Sequence, residues 1–245
     1  MLEPLRRGLE PVGLNLIGVA AVGDYDQRVR AELKLEPRWP ATRSAIVIGN
    51  GGSAFWQAAR SSRFAAASDP LDRFAEHCLA EAMPLLSAPA IAIFPHRFAE
   101  APVSFMHLAE CAGLGVESRI GILIRPDYGT WFALRAALLL DAEIEPTPPL
   151  AFDPCPPCDG PCVAACPGAA VTTARGWDIP LCVSHRLEHD DCGDGCYSRV
   201  ACPYGAEHRY AIEEVRHHQA YAIAAIRDSK FKDSKFKVQD SKLSL

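Results

Sequence analysis

The sequence predicts an α+β fold, in which a mixed-sheet α/β domain at residues 1–150 precedes a small cysteine-rich domain at residues 151–206. Apolar runs bounded by glycine and proline alternate with amphipathic runs through the first 150 residues, which is typical of strands and helices. Eight of the ten cysteines then fall between Cys155 and Cys202. A proline-rich stretch at residues 146–157 marks the boundary between the two domains.

Composition limits the class of protein. The 245 residues are 49% hydrophobic and 22% charged, which is ordinary for a globular chain and enough for one large domain or a medium domain plus a small one. The net charge of −5 argues against a general attraction to nucleic acid or to an anionic membrane. No apolar run is long enough to span a bilayer, and Glu10 and Pro11 interrupt the only stretch that resembles a signal peptide. We therefore expect a cytoplasmic protein with reduced cysteines.

Periodicity assigns most elements of the first domain. Apolar runs predict strands at residues 14–20, 44–52, 90–94 and 120–124. Apolar residues at three- and four-residue spacing predict helices at residues 71–83 and 104–111, with Cys78 and Cys111 in the core. Residues 131–140 are apolar enough for either a helix or a buried strand, and periodicity does not decide between them.

The C-terminal part is predicted to be a helix followed by a tail. Residues 207–227 have a helical pattern, on which His217 and His218 are expected to be solvated. Residues 228–245 repeat Asp-Ser-Lys three times and are polar and rich in lysine. Such a composition predicts disorder, and a solvated end is favoured over a binding module.

The cysteine spacing predicts two [4Fe–4S] clusters. Cys166 and Cys202 each stand directly before a proline and close a cysteine run. In chains that carry two clusters, the last cysteine of each run usually ligates the other cluster. This crossed arrangement assigns Cys155, Cys158, Cys162 and Cys202 to one cluster, and Cys166, Cys182, Cys192 and Cys196 to the other. The segment has little apolar content, so metal ligation should supply much of its folding free energy.

Two alternatives stay open at this point. Pairs of Cys-x2-Cys also build zinc sites, and cysteines can form disulfides, although a reducing compartment disfavours them. Three residues separate Cys158 from Cys162 and five separate Cys196 from Cys202, and both gaps are wider than in ferredoxin-type runs. His185 flanks the second set, where a supporting role is favoured over ligation.

Three further motifs resemble the epoxyqueuosine reductases and their relatives, the reductive dehalogenases. Residues 101–103 with 109–115 resemble the family's G-P-V helix that ends in A-G-L-G. Residues 128–134 resemble its aromatic-G-S-W-x-x-L segment, and residues 181–185 resemble R-C-I-S-Y. The likeness covers residues 90–205 well and the region near the first two predicted strands loosely.

The resemblance implies an α/β cobalamin-binding domain joined to a two-cluster ferredoxin-like domain. Electrons from reduced ferredoxin or flavodoxin would pass through both clusters to a corrinoid held by residues 1–150. That cofactor would reduce a small-molecule substrate or would itself be the species reduced. The resemblance places five residues at the cofactor: Arg119, Tyr128, Gly129, Thr130 and Trp131. A flavin is the alternative cofactor for this domain.

Departures from the family pattern predict a divergent member. The family's general-acid aspartate is replaced by Ala99, with Glu100 beside it, and its G-K-N-T reads Ser118 to Gly121. No helical-repeat extension follows the cysteines, so tRNA binding is not expected. A non-catalytic iron–sulfur electron carrier docking on a partner is the competing prediction, and reduction of a corrinoid for trafficking is a third.

Overall fold

The computed structural model of the protein describes residues 2–174 and 176–227. The first part contains helices α1 (Leu2–Leu9), α2 (Val22–Arg28), α3 (Ala54–Arg60), α4 (Pro70–Ala82) and α5 (Phe105–Cys111). Its strands are β1 (Leu16–Ala21), β2 (Ser44–Gly51), β3 (Ala90–Ile93), β4 (Val116–Glu117), β5 (Leu123–Ile124) and β6 (Phe132–Leu140). The second part contains helices α6 (Pro161–Ala164), α7 (Ile179–Glu188), α8 (Tyr197–Ala201) and α9 (Ile212–Arg227).

Four strands form the main sheet in the order β1-β2-β6-β3. Each described pairing is antiparallel, so the α+β class is confirmed while the sheet is antiparallel instead of mixed. The undecided run at residues 131–140 becomes β6, the strand that joins β2 to β3. Alternation along β2 explains the burial: Ile46 and Ile48 face one layer of helices and Val47 faces the other.

The sheet lies between two apolar layers. On one side α1, α3 and α4 contribute Leu9, Phe55 and Leu79. On the other side α2 and α5 contribute Tyr25 and Leu108. The predicted core cysteines follow this division: Cys78 belongs to the first layer and Cys111 to the second, each 6% exposed.

A β-bulge in the middle of the sheet introduces a buried charge. Ile48 pairs with Ala136 while the next residue, Gly49, pairs with Leu134, so Arg135 is the extra residue on β6. A bulge redirects a side chain out of the regular alternation. Arg135 is consequently buried, and its Nε donates a hydrogen bond of 2.6 Å to Asn50 Oδ1.

Two predicted elements differ from the structure. The strand expected at residues 120–124 is only Leu123–Ile124, because residues 118–121 turn through a 3.0 Å hydrogen bond from Gly121 N to Ser118 O. The last helix begins at Ile212, since Ala206–His208 forms a separate 3₁₀ turn. The tail predicted at residues 228–245 lies outside the described residues. None of the described helices has the length and apolar character needed to cross a bilayer.

Candidate metal centres

Four cysteines line one cavity, which we call site 1. They are Cys155, Cys158, Cys162 and Cys202, the set that the crossed arrangement predicts. Cys162 lies on α6, and Cys202 directly follows the last residue of α8. Cys162 and Cys202, 40 residues apart in the chain, therefore meet at one site.

Local turns explain how the first three cysteines face one point. The backbone N–H of Cys158 donates to Cys155 O at 3.2 Å, which closes a tight turn. Gly160 then adopts a left-handed conformation (φ 70°) before α6 begins at Pro161. A side chain at Gly160 would collide with Arg119, because its Cβ would lie 2.3 Å from Arg119 Nη1.

The sulfur atoms of site 1 receive backbone hydrogen bonds. Arg119 N donates to Cys155 Sγ and Gly160 N donates to Cys158 Sγ, both at 3.4 Å. The backbone of Tyr204 also hydrogen-bonds to Cys202, which lowers the pKa of that thiol, although burial outweighs it and raises the pKa. Hydrogen bonds to sulfur favour the thiolate form, which is the form that binds metal.

Arg119 supports the loop that carries these cysteines. It is 8% exposed, and its Nη2 donates to Cys155 O at 2.7 Å while its Nη1 reaches Cys158 O at 3.5 Å. Its positive charge also lowers the pKa of the Cys162 thiol, against the larger upward effect of burial. The structure thus turns this predicted cofactor residue toward site 1.

The other four predicted ligands line a second cavity, site 2. They are Cys166, Cys182, Cys192 and Cys196, and the cavity has a volume of about 190 Å³. Cys182 lies on α7, while Cys196 directly precedes α8. Cys196 is exposed, whereas the remaining seven cysteines of the two sites are buried or half-buried. Site 2 is therefore the more accessible of the two from solvent.

Burial raises the pKa of several of these thiols. It is the largest cause of the raised pKa of Cys162, Cys182 and Cys202. For Cys192, burial and then the negative charge of Asp191 raise the pKa to about 11. A metal that binds these sulfurs must displace their protons, and its positive charge relieves the repulsion between neighbouring thiolates.

A histidine beside site 2 offers a different donor set. His185 Nε2 lies 2.8 Å from Asp191 Oδ1, and its ring packs against His189 with 4.7 Å between centroids. The ligand atoms of His185, Asp191 and Cys192 all lie within 4.8 Å of one another. This arrangement could hold a single divalent ion, and it is a different donor set from the four-cysteine zinc sites that the cysteine spacing leaves open.

The two sites share a wall. Ile120 lines both cavities, and Cys162 of site 1 lies on α6, the short helix that ends just before Cys166 of site 2. Ser198, which lines site 2, donates its hydroxyl to Cys162 O at 2.8 Å. Redox centres in these positions would be separated by little more than one layer of protein.

The segment at residues 128–131 joins the sheet to the cysteine-rich part. The Tyr128 hydroxyl accepts a hydrogen bond of 3.1 Å from Asn15 Nδ2, and its ring lies 4.6 Å from that of His208. Gly129 (φ 54°) allows direct backbone contact, since a Cβ there would lie 1.9 Å from Tyr204 O. These contacts place Tyr128 and Gly129 between protein elements.

The other two residues of this segment meet a buried arginine. Thr130 lines site 1, and its carbonyl accepts 2.6 Å from Arg199 Nη2. Trp131 is 2% exposed and lies beneath the Arg199 guanidinium, 4.4 Å from the ring centroid, with Tyr210 packed edge-on. A cofactor-binding role for this segment remains a prediction, because its described contacts are with protein.

Sequence reasoning missed a polar cluster between β6, α8 and α9. Its members Arg135, Tyr210 and Glu214 are buried, and Arg199 and His218 are half-buried. The expectation of a solvated His218 is wrong: burial, and then the positive charges of Arg135 and neighbouring groups, lower its pKa to about 3. An arginine in the middle of the apolar run at residues 131–140 was the available signal.

Comparison with known proteins supports the predicted resemblance. No family model matches the chain. An epoxyqueuosine reductase from Listeria monocytogenes is 30% identical in a match that covers 46% of this chain. The match spans 32% of that relative, so about a third of its length is represented here.

Solved structures show the fold at low identity. Epoxyqueuosine reductase from Streptococcus thermophilus has a TM-score of 0.56 at 16% identity, over 84% of this chain and 67% of that one. The reductive dehalogenase NpRdhA, in complex with 3-bromo-4-hydroxybenzoic acid, has a TM-score of 0.58 at 17% identity, over 91% of this chain and 34% of that one. CblC of C. elegans, a B12-trafficking protein, has a TM-score of 0.55 at 14% identity, over 92% of this chain and 95% of that one. The resemblance predicted from the motifs is confirmed, with identities that fit a divergent relative.

Proposed function

We propose that this protein is an iron–sulfur oxidoreductase, in which site 1 and site 2 each hold one [4Fe–4S] cluster. The observation that carries the proposal is the grouping of eight cysteines into two four-cysteine cavities, with Cys202 returning to the first run and Cys166 crossing to the second. Four thiolates are the ligand set that such clusters require. The relatives named above are reductases, which agrees with a redox role.

The surroundings of site 1 fit a cluster. Sulfur atoms of Cys155 and Cys158 already accept backbone N–H groups, and Arg119 fixes the loop that carries them. Hydrogen bonds to sulfur, net charge and burial are the means by which a protein sets a cluster's reduction potential. We infer that Arg119 positions the loop and also partly balances the negative charge of the cluster.

Accessibility supports a direction of electron transfer. The exposed Cys196 gives an external donor access to site 2, whereas site 1 lies against Thr130 and the first part of the chain. Electrons would enter at site 2, cross the wall formed by Ile120 and α6, and leave from site 1 toward the sheet domain. The family resemblance implies reduced ferredoxin or flavodoxin as the donor, and the charge that the donor must carry follows from the surface around site 2.

Metal analysis tests the proposal directly. Protein purified without oxygen should be brown and contain about eight iron and eight sulfide per chain. Cys155→Ser and Cys202→Ser should each lose the same cluster, while Cys166→Ser and Cys192→Ser should lose the other one. Cys111→Ala is the matched control, because this cysteine is buried in the core and should leave the iron content unchanged. Colourless protein with zinc and without sulfide would overturn the proposal.

Reduction of a corrinoid is the second candidate. It is favoured by the likeness to a B12-trafficking protein, since that likeness extends over 95% of the other chain. Of the five residues expected at the corrinoid, Arg119 and Thr130 line site 1 and Trp131 is buried, so this set does not fit a corrin ring and we derive no step through one.

A cobalamin titration decides between this candidate and an electron carrier. Cyanocobalamin, added without oxygen to protein reduced by a chemical donor, should change its absorption bands if the corrinoid is reduced. Cys202→Ser should abolish the change, because the path from site 1 is lost. Redox-active clusters without binding or conversion would support the carrier.

The family's epoxide chemistry receives no support from the residues at hand. Ala99 carries no acid, and Glu100 is exposed and forms a weak ion pair of 3.9 Å with Arg97. Neither residue lines site 1 or site 2. The proposed substrate is therefore a small molecule or corrinoid whose reduction needs electrons but no acid at this position.

A further inference from the structure

Exposed apolar side chains are concentrated around site 2. Five of the ten large hydrophobic residues that are exposed in the described part of the chain lie within residues 177–200. They are Trp177, Leu181, Leu187, Tyr197 and Val200. Apolar groups left in water in this density mark a surface that contacts another molecule.

Two of these side chains stand at the mouth of site 2. Trp177 is 38% exposed and Tyr197 is 48% exposed, and both also line the cavity. Cys196 directly precedes Tyr197 and is the exposed cysteine of the two sites. Leu181, 49% exposed, directly precedes Cys182. A protein seated here would lie against two of the ligands of site 2.

The same surface is strongly acidic. Residues 178–197 contain five carboxylates and one arginine, Arg186, so their formal charge of −4 accounts for most of the −5 of the whole chain. The carboxylates are Asp178, Glu188, Asp190, Asp191 and Asp194, and all five are exposed. Arg216 of α9 pairs with Asp194 at 2.8 Å, which offsets the charge only in part.

We propose that this surface, the donor face, docks a redox protein that presents a positively charged rim around an apolar centre. The inference rests on the proposed clusters, because it concerns how electrons reach site 2. Apolar contact at Trp177, Leu181 and Tyr197 supplies the centre of the interface, and the carboxylates steer the cationic rim. A second copy of this chain is a poor occupant, since it would bring like charge to the same surface.

Small electron donors of opposite charge test the electrostatic part. Reduction of the clusters by the methyl viologen radical, a cation, should slow as ionic strength rises, and reduction by dithionite, an anion, should accelerate. The double variant Glu188→Gln/Asp190→Asn should slow the viologen reaction about threefold or more at low salt. Glu143→Gln/Glu145→Gln removes the same charge beside Ser44, at the far end of β2, and should leave the rate unchanged.

A protein donor tests the docking itself. Reduced flavodoxin, with acidic residues around its flavin changed to lysine, should reduce the clusters faster than unmodified flavodoxin. Leu181→Ser should slow this reaction several-fold while leaving the viologen rate and the iron content at their wild-type values. The unmodified flavodoxin reacting faster, or Leu181→Ser having no effect, would overturn the inference.

The two proposals fail differently. Absence of iron and sulfide would remove the clusters and the proposed function together. Clusters that are present but show the same salt dependence in both double variants would contradict only the acidic donor face.

Discussion

The guanidinium of Arg119 holds the cysteine loop by hydrogen bonds and places a positive charge beside site 1. Arg119→Met should lower the midpoint potential of the site 1 cluster by roughly 50–100 mV, because a nearby positive charge stabilises the extra electron. Arg119→Lys keeps the charge but loses the two bonds to Cys155 O and Cys158 O. The potential of the lysine variant should stay near the wild-type value while its cluster becomes less stable. A redox titration followed by electron paramagnetic resonance measures the midpoint potential and the amount of intact cluster in each protein. Equal potentials in the wild type and both variants would contradict the role of the Arg119 charge.

The buried imidazole of His218 should make stability depend on pH. Its folded pKa of about 3 lies below the ordinary value of 6.5, so the unfolded chain binds a proton that the folded chain excludes. Stability is then full above pH 6.5 and falls as the pH drops toward 3, with roughly 2 kcal/mol lost at pH 5. Glu214 has a raised pKa and acts in the opposite sense: its effect on stability begins at its unfolded value of 4.5 and extends upward, so it offsets part of the fall that His218 causes.

Thermal unfolding of a His218 variant checks this dependence. Between pH 7 and pH 5 the wild-type midpoint should fall by about 4–8 °C, and His218→Gln should remove most of that fall. His107→Gln is the matched control, because His107 is exposed on α5. An unchanged pH slope in His218→Gln would show that another group carries the effect.

At the scale of elements, the seam between sheet and cysteine-rich part depends on two glycines. Gly129 and Gly205 both have positive φ, and a Cβ on either would collide with the backbone of the other segment. Gly129→Ala should therefore destabilise the protein by at least about 2 kcal/mol and loosen site 1, which Thr130 lines. Gly23→Ala in α2 is the control: no atom lies within 4 Å of its Cβ, and alanine favours the helix. Thermal unfolding and iron content together distinguish the two variants, and a neutral Gly129→Ala would remove the argument.

The sequence predicts an element well when neighbouring residues determine it, and poorly when residues far apart in the chain do. Local patterns predicted β1, β2, α4 and α5, because alternation and three- to four-residue spacing are properties of neighbouring residues. The bulge that buries Arg135 depends on the pairing of β6 with β2, which no local pattern records. The turn at residues 118–121 likewise depends on the bonds between Arg119 and the cysteine loop.

At the scale of the whole molecule, the grouping of the cysteines into two sets could be predicted. The reason is that, in chains with two clusters, the last cysteine of each run usually joins the other set. The positions of Arg199 and His218 could not be predicted, since both side chains are buried only once α9 packs against the cysteine-rich part. Patterns in the sequence identified what the sites could bind. The charged groups around them follow from tertiary packing.

The two parts of the molecule should respond differently to removal of metal. The sheet domain has two apolar cores, of 19 and 18 buried residues. The hydrophobic core beside site 1 has only three buried residues: Ile120, Cys162 and Val171. We therefore expect the proposed metal ligation to supply much of the free energy that orders residues 151–206. After the clusters are removed with a chelator and an oxidant, amide hydrogens of this segment should exchange rapidly while those of β2 and β6 stay protected. Hydrogen exchange followed by mass spectrometry, on loaded and stripped protein, measures this; loss of protection in both parts together would show that the clusters stabilise the entire fold.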